Sequence, residues 1–263
     1  MNDCLTLYID LLKKSVSNSI YDDDLDMYRG TFAVDAQGRR VSQQPAAAEG
    51  RRKFLGDIWP SRAHTMIGTP RLDNIQECVE TVLRDGVEGD LIETGVWRGG
   101  ATIFMRGLLK AHGVSDRIVW VADSFAGLPP ADRSKYPKES RIEFDKLADL
   151  AVSLDEVKRN FQRYGLLDDQ VRFLKGWFRD TLPSAPIRKL AVMRLDGDMY
   201  ESTMDALVNL YPKLSPGGFA IIDDCQVIQS CDLAVSDFRR QHGITSPLAL
   251  LPHAGAFWRK PGR

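Results

Sequence analysis

The chain has 263 residues, 43% hydrophobic and 27% charged, the balance of a soluble globular protein with enough apolar material for one sizeable α/β core. A formal charge of -1, without a basic stripe or a charged tail, argues against a nucleic-acid partner. Cys4, Cys78, Cys225 and Cys231 match no zinc or redox spacing, and His64, His112, His242 and His253 offer no paired ligands, so reduced thiols and no zinc are expected.

At the N-terminus, Asp3, Asp10, Lys13 and Lys14 break the apolar stretch that a signal peptide would need, and no run approaches the ~18 apolar residues of a membrane span. A cytoplasmic protein without a membrane partner is the expectation. Leu5, Tyr8, Ile9, Leu12 and Val16 form a helical stripe over 5–16. Residues 22–62 open on the acidic run Asp22 to Asp24 and continue polar, punctuated by Gly30, Gly38, Pro45 and Gly50, which reads as a mobile surface segment rather than a second domain. The chain divides into a helix-plus-lid segment, 1–69, and a regular core, 70–263.

From Pro70 onward Leu72, Ile75, Val79, Val82 and Leu83 mark a helix stopped by Gly86. Asp90 to Val96 is a buried strand, Gly99 to His112 a helix and Arg117 to Ala122 a second strand. Ser153 and Glu156 have capping-box spacing before a helix carrying Val157, Phe161 and Tyr164, ended by Gly165. Strands follow at Val171 to Leu174, Leu190 to Leu195, Phe219 to Ile222 and Gly255 to Arg259. Helices are marked by Met204, Leu207, Val208 and Tyr211, and by the span Asp232 to His242. Alternating strands and helices imply a mostly parallel sheet covered on both faces.

In such a sheet a ligand binds beyond the carboxyl ends of the strands, where the strand order reverses. Ile92-Glu93-Thr94-Gly95-Val96-Trp97-Arg98-Gly99-Gly100 occupies the first such turn. It lacks the G-x-G-x-x-G cradle for a pyrophosphate and the P-loop lysine, which disfavours an NAD-dependent reductase. Glu93 before Gly95 suits a cationic ligand, and S-adenosylmethionine carries a sulfonium and an ammonium. Asp123, at the end of the second strand, can accept from ribose hydroxyls. Glu93, Thr94, Gly95, Gly99 and Asp123 are therefore candidate donor-binding residues. Thr65 and Met66 join them as pocket-lining candidates, Ser124 as an adenosine contact and Trp177 as an adenine flank. As packing or turn residues these four would look the same in sequence.

Asp196 and Asp198 follow the fourth strand, and Asp223 and Asp224 end the fifth. Converging carboxylates repel unless a cation or protons relieve them, and an oxygen-only set suits a hard divalent ion, Mg²⁺ first. Methyl transfer to an alcohol gives that ion a use, because the hydroxyl is a very weak acid. Asp196, Asp223 and Asp224 are assigned as ligands, with Asp198, assisted by Asp196, on the proton. The competing role is capping of the next helix by Asp198 or Asp224. Arg133, Lys135 and Arg141 lie in a long loop, 124–152, where acceptor contacts are expected.

Taken in order, A-H-T-M-I-G (63–68), R-L-D-N (71–74), I-E-T-G-V-W-R-G-G (92–100), V-W-V-A-D-S-F (119–125), R-Y-G-L-L-D-D (163–169), L-K-G-W-F (174–178), M-R-L-D-G-D (193–198), S-P-G-G (215–218) and I-I-D-D (221–224) resemble the macrocin O-methyltransferase-like family, over most of the chain. The resemblance implies a class I methyltransferase, Rossmann-like α/β fold with a mostly parallel seven-stranded sheet, helices on both faces and an N-terminal helical lid over 22–66. It also implies S-adenosylmethionine, Mg²⁺ and a deoxysugar hydroxyl of a macrolide or aminocoumarin glycoside as acceptor. The Arg-rich stretch 39–53 and the segment 225–231 depart from the family pattern, which leaves acceptor identity unassigned. A homo-oligomer is compatible with the sequence. The alternatives are a phenol or catechol acceptor, and a non-catalytic nucleotide-binding module on the same fold.

Overall fold

A computed structural model of the chain describes residues 3–27, 52–139 and 141–262. The central sheet has seven strands in the order β3-β2-β1-β4-β5-β7-β6. These are β1 (Asp90–Thr94), β2 (Val119–Asp123), β3 (Val171–Lys175), β4 (Leu190–Leu195), β5 (Leu214–Ile222), β6 (Ala249–Leu250) and β7 (Ala256–Arg259). Strands β1 to β5 pair in parallel, and β7 runs antiparallel against both β5 and β6.

The helices are α1 (Asp3–Val16), α2 (Gly68–Arg84), α3 (Gly100–Ala111), α4 (Leu154–Arg163), the one-turn α5 (Phe178–Thr181), α6 (Tyr200–Leu210) and α7 (Gln229–Gln241). A further helical turn occupies residues 52–55. The parallel strands are apolar on both faces, and their alternation sorts neighbouring side chains into two cores. Leu91, Val121, Val192 and Ile221 point toward α1 to α4, whereas Ile92, Ala122, Met193 and Ile222 point toward α6 and α7.

The expected elements are present, with shifted ends. The first strand stops at Thr94 because Gly95 turns the chain; the second runs 119–123 and the third 171–175. The fifth begins at Leu214, five residues before its expected start. Pro216-Gly217-Gly218 lies inside it, beside a register irregularity between Leu190 and Val192, and is not a turn ahead of it. The last helix starts at Gln229 rather than Asp232. The short edge strand β6 and the single turn α5 had no legible periodicity at that length. Ser153 caps α4, its side chain accepting from the Glu156 backbone amide at 3.2 Å.

Most of the expected mobile segment, 28–51, lies outside the described residues. Helix α1 shares the core of the sheet. Ile9, Leu12 and Val16 are buried with Phe104, Leu108 and Leu166, and at Gly107 of α3 any Cβ would overlap the Leu12 side chain. That approach predicts that Leu12→Ala removes about 2–5 kcal/mol of stability. It should be read as a lower urea midpoint at unchanged slope. A loss below about 1 kcal/mol would mean that α1 lies outside the cooperative core.

Candidate active site

Strand order reverses between β1 and β4, and one cleft opens there at the carboxyl ends of the parallel strands. Gly95 (φ +81°) makes this possible: a Cβ at that position would overlap the Asp196 carbonyl oxygen, so a side chain would push the β1 and β4 ends apart. Its amide donates to the Ala122 carbonyl at 2.9 Å. Asp123, closing β2, accepts from the backbone amides of Val96 and Phe125, both at 2.7 Å. Burial raises its pKa against those hydrogen bonds, which favour the charged form. Trp97, Phe125 and Asp198 all take positive φ around the cleft (+48°, +56°, +55°). Such backbone is uncommon outside glycine and collects at functional sites.

Beneath this turn sits Arg194, fully buried on β4. Its guanidinium donates to Glu93, to Asp223 and, at 2.9 Å, to Asp196. Glu93 is buried too. Burial is the larger influence on it and raises its pKa to about 8, with Arg194 opposing. Its second oxygen, Oε2, has no hydrogen-bond partner among the described residues, and Glu93 lines the cleft. A buried carboxylate oxygen left over in this way is what a cationic ligand would find.

Asp196, Asp198 and Asp224 bring carboxylate oxygens within 4.8 Å of one another. Desolvation, then mutual repulsion, raises Asp196 to about 6 and Asp198 to about 8, and pushes Asp224 well above the ordinary carboxylate range. Asp223 lies beside them, its oxygens accepting from Arg194 and, at 2.5 Å, from Arg71. Each of those oxygens keeps a second lone pair, so Asp223 retains ligand capacity. Two guanidinium groups thus face Glu93, Asp196, Asp198, Asp223 and Asp224, and the residual negative charge calls for a cation or protons. An all-oxygen donor set of this charge fits a hard divalent ion.

Neither aspartate expected as a possible cap occupies that position. The N-cap of α6 is Met199 and that of α7 is Ile228, both without a side-chain cap. The carboxylate of Asp224 accepts instead from the Asp198 amide at 2.8 Å, and so shapes the turn at 196–198. The first amides of α6, on Tyr200 and Glu201, are met at 3.0 Å by Glu139 from the long loop.

Thr65, Met66, Glu93, Gly95, Asp123, Ser124, Trp177, Asp196, Asp198, Asp223 and Asp224 all line the one cleft. Thr94 and Gly99 do not. Thr94 is fully buried in β1, and Gly99 (φ +86°) precedes α3 and packs against Val157 and Phe161. Ser124 also serves the turn, its hydroxyl donating to the Gly127 carbonyl at 2.6 Å. Arg133, Lys135 and Arg141 are absent from the lining; Gly127, Leu128, Pro129, Phe144 and Leu150 represent that loop instead. The sequence reading missed Arg71, Arg179, Glu201 and Asp205. The last two had a signal, an i, i+4 acidic pair on the face of α6 toward the cleft, with Lys135 and Arg179 within 3.7 Å of Glu201.

The chain resembles known proteins over its whole length. Residues 5–260 match the family model described as macrocin O-methyltransferase (TylF). An 8-demethyl-8-(2,3-dimethoxy-alpha-L-rhamnosyl)-tetracenomycin-C 4'-O-methyltransferase of Streptomyces olivaceus is 54% identical, across 98% of this chain and 94% of that one. A mycinamicin III 3''-O-methyltransferase of Micromonospora griseorubida is 51% identical, across 97% and 96%. The solved structure of the O-methyltransferase NovP superposes with a TM-score of 0.86 at 45% identity, covering 98% of this chain and 99% of that chain. A calicheamicin methyltransferase, CalS11, shares the fold at TM-score 0.58 and 20% identity. With the fold, the acidic cleft and the family match agreeing from one end of the chain to the other, the protein belongs to the macrocin O-methyltransferase family and is an O-methyltransferase.

Proposed function

We propose that the protein transfers a methyl group from S-adenosylmethionine to a deoxysugar hydroxyl of a glycosylated natural product, in an Mg²⁺-dependent reaction. One observation carries this reading: the carboxylates of Asp196, Asp198 and Asp224 gather within 4.8 Å of one another in the same cleft as the glycine turn and Asp123. The relatives' acceptors support the sugar, since one of them bears a rhamnosyl group by name.

Asp123 suits the ribose hydroxyls, and the leftover Glu93 oxygen suits the donor's positive charge. Asp196 and Asp224 would hold the cation, joined by Asp223, which lies outside the 4.8 Å group but keeps a lone pair on each oxygen beyond its arginine partners. Held there, a divalent ion would supply Lewis-acid stabilisation of negative charge on the acceptor oxygen. Asp198 is the base. Its carboxylate lies within 4.8 Å of those of Asp196 and Asp224, which sets it beside the place where a cation-bound alcohol would sit. The acceptor oxygen attacks the methyl carbon in line, the carbon–sulfur bond breaks toward sulfur, and the hydroxyl proton passes to Asp198. S-adenosylhomocysteine and the methyl ether are the products. Arg194 and Arg71 hold Asp223 and Asp196 in register.

Transfer of labelled methyl to a panel of desmethyl glycosides should stop with a chelator and return with Mg²⁺. Turnover indifferent to the chelator would remove the cation, and transfer to catechols but not to glycosides would replace the acceptor. Asp198→Asn should lower kcat by about 10²–10⁴-fold. Donor affinity, measured by calorimetry, should stay within about threefold of the parent. Near-normal turnover in that variant would take the base role from Asp198, whereas a requirement for more Mg²⁺ would make it a ligand.

A further inference from the structure

Residues 56–67 form one wall of the donor end of the cleft, through Gly56, Trp59, Thr65, Met66 and Ile67. The wall is a loop whose two ends meet. At Gly56 (φ +80°) a Cβ would overlap the Ile67 carbonyl, and at Gly68 a Cβ would overlap the Gly56 amide, so the backbones touch with no room for a side chain. Arg71, one turn into α2 and 7% exposed, fastens the junction. Its Nε donates to the Ile67 carbonyl at 2.6 Å and its Nη2 to the Gly56 carbonyl at 3.1 Å. Its Nη1 donates to Asp223 at 2.5 Å, across 152 residues of sequence. One planar fork therefore spans both ends of the wall and the acidic cluster.

The wall has a second clamp farther along. The Arg98 guanidinium, behind the glycine turn, donates to the carbonyls of Pro60, Ser61 and Ala63 at 2.9–3.1 Å. That clamp does not reach the carboxylates. Arg71 alone joins wall and cluster directly among the described hydrogen bonds.

We propose that Arg71 is a positioning residue that couples the closed state of the 56–67 wall to occupation of the aspartate cluster by a divalent cation. The proposal rests on the reading of that cluster as a cation site. A fork rigid in its plane cannot keep three acceptors if Asp223 turns. Fixing Asp223 on a cation thus holds the guanidinium, and the guanidinium holds Gly56 and Ile67. By linkage, a closed wall favours the cation by the same factor. Lysine keeps the charge but offers a compact ammonium in place of the fork, so it preserves electrostatics while losing the clasp.

Trypsin reads the wall directly, because Arg62 is exposed near its middle, with 67% of its side-chain surface accessible. In the full-length protein without donor or acceptor, Mg²⁺ titrated to saturation should slow cleavage after Arg62 about tenfold, a coupling of ordinary size. In Arg71→Lys the protection should vanish while Mg²⁺ still binds by calorimetry. Gly56→Ala, which pushes the wall off Arg71 from the other side, should give the same result and serves if Arg71→Lys does not fold. Protection retained in a variant that binds Mg²⁺ overturns the coupling and leaves the cation site standing. No Mg²⁺ binding to the parent protein removes the cation site and the coupling with it.

Discussion

A single buried guanidinium organises the catalytic end of this protein. Arg194 sits inside the sheet and reaches Glu93 on β1, Asp223 just past β5 and Asp196 just beyond its own strand. An arginine removed from water is expensive unless its donors are satisfied, and carboxylates buried beside it would be more so alone. Each side of this network makes the other tolerable. The arrangement also fixes the relative height of three neighbouring strand ends. A substitution that broke it would leave uncompensated charge where the cleft needs a defined shape.

The same network explains why the acidic cluster remains poised. Arg194 and Arg71 neutralise part of the charge and leave Asp198 and Asp224 raised by burial and mutual repulsion. Without arginines, more of the carboxylates would take up protons. Partial neutralisation leaves a compact group of carboxylates whose charge the two arginines only partly offset.

What the sequence revealed and what it hid follow from range. Strands and helices with sustained periodicity, the glycine turn at Gly95 and the aspartate pairs were legible because each is a local pattern on an identifiable element. The acidic pairs could be joined on paper because parallel α/β topology puts consecutive strand ends at one edge. Arg71 gave no such sign: its partner Asp223 is 152 residues away, and an arginine in the first turn of a helix ordinarily reads as solvated. Glu139 is similar, capping α6 from a loop 61 residues upstream where the eye looks for a cap adjacent in sequence. Thr94 and Gly99 failed to reach the cleft for the opposite reason. They belong to a motif that does reach it, but strand alternation and helix packing turn individual members of the motif inward. Arg194 was in plain view, a charged residue within an apolar strand. Read as a flank of the aspartates, it hid its role; read as a buried charge in need of partners, it points to Glu93 and Asp223.

Glu139 shows how the long loop is tied to the aspartate turn. Its carboxylate meets the first amides of α6, the helix that begins directly after the Asp196–Asp198 turn, while its neighbour Lys138 pairs with Asp237 on α7. A negative charge at a helix N-terminus is favourable, and here it is delivered by the loop that contributes Leu128, Pro129 and Phe144 to the cleft. The position of that loop and the start of α6 are thereby one variable. Pinned at that carboxylate, the loop holds its apolar lining residues beside the aspartate cluster. The cleft thus has two sides, the strand ends with their charge network and the apolar residues of the loop.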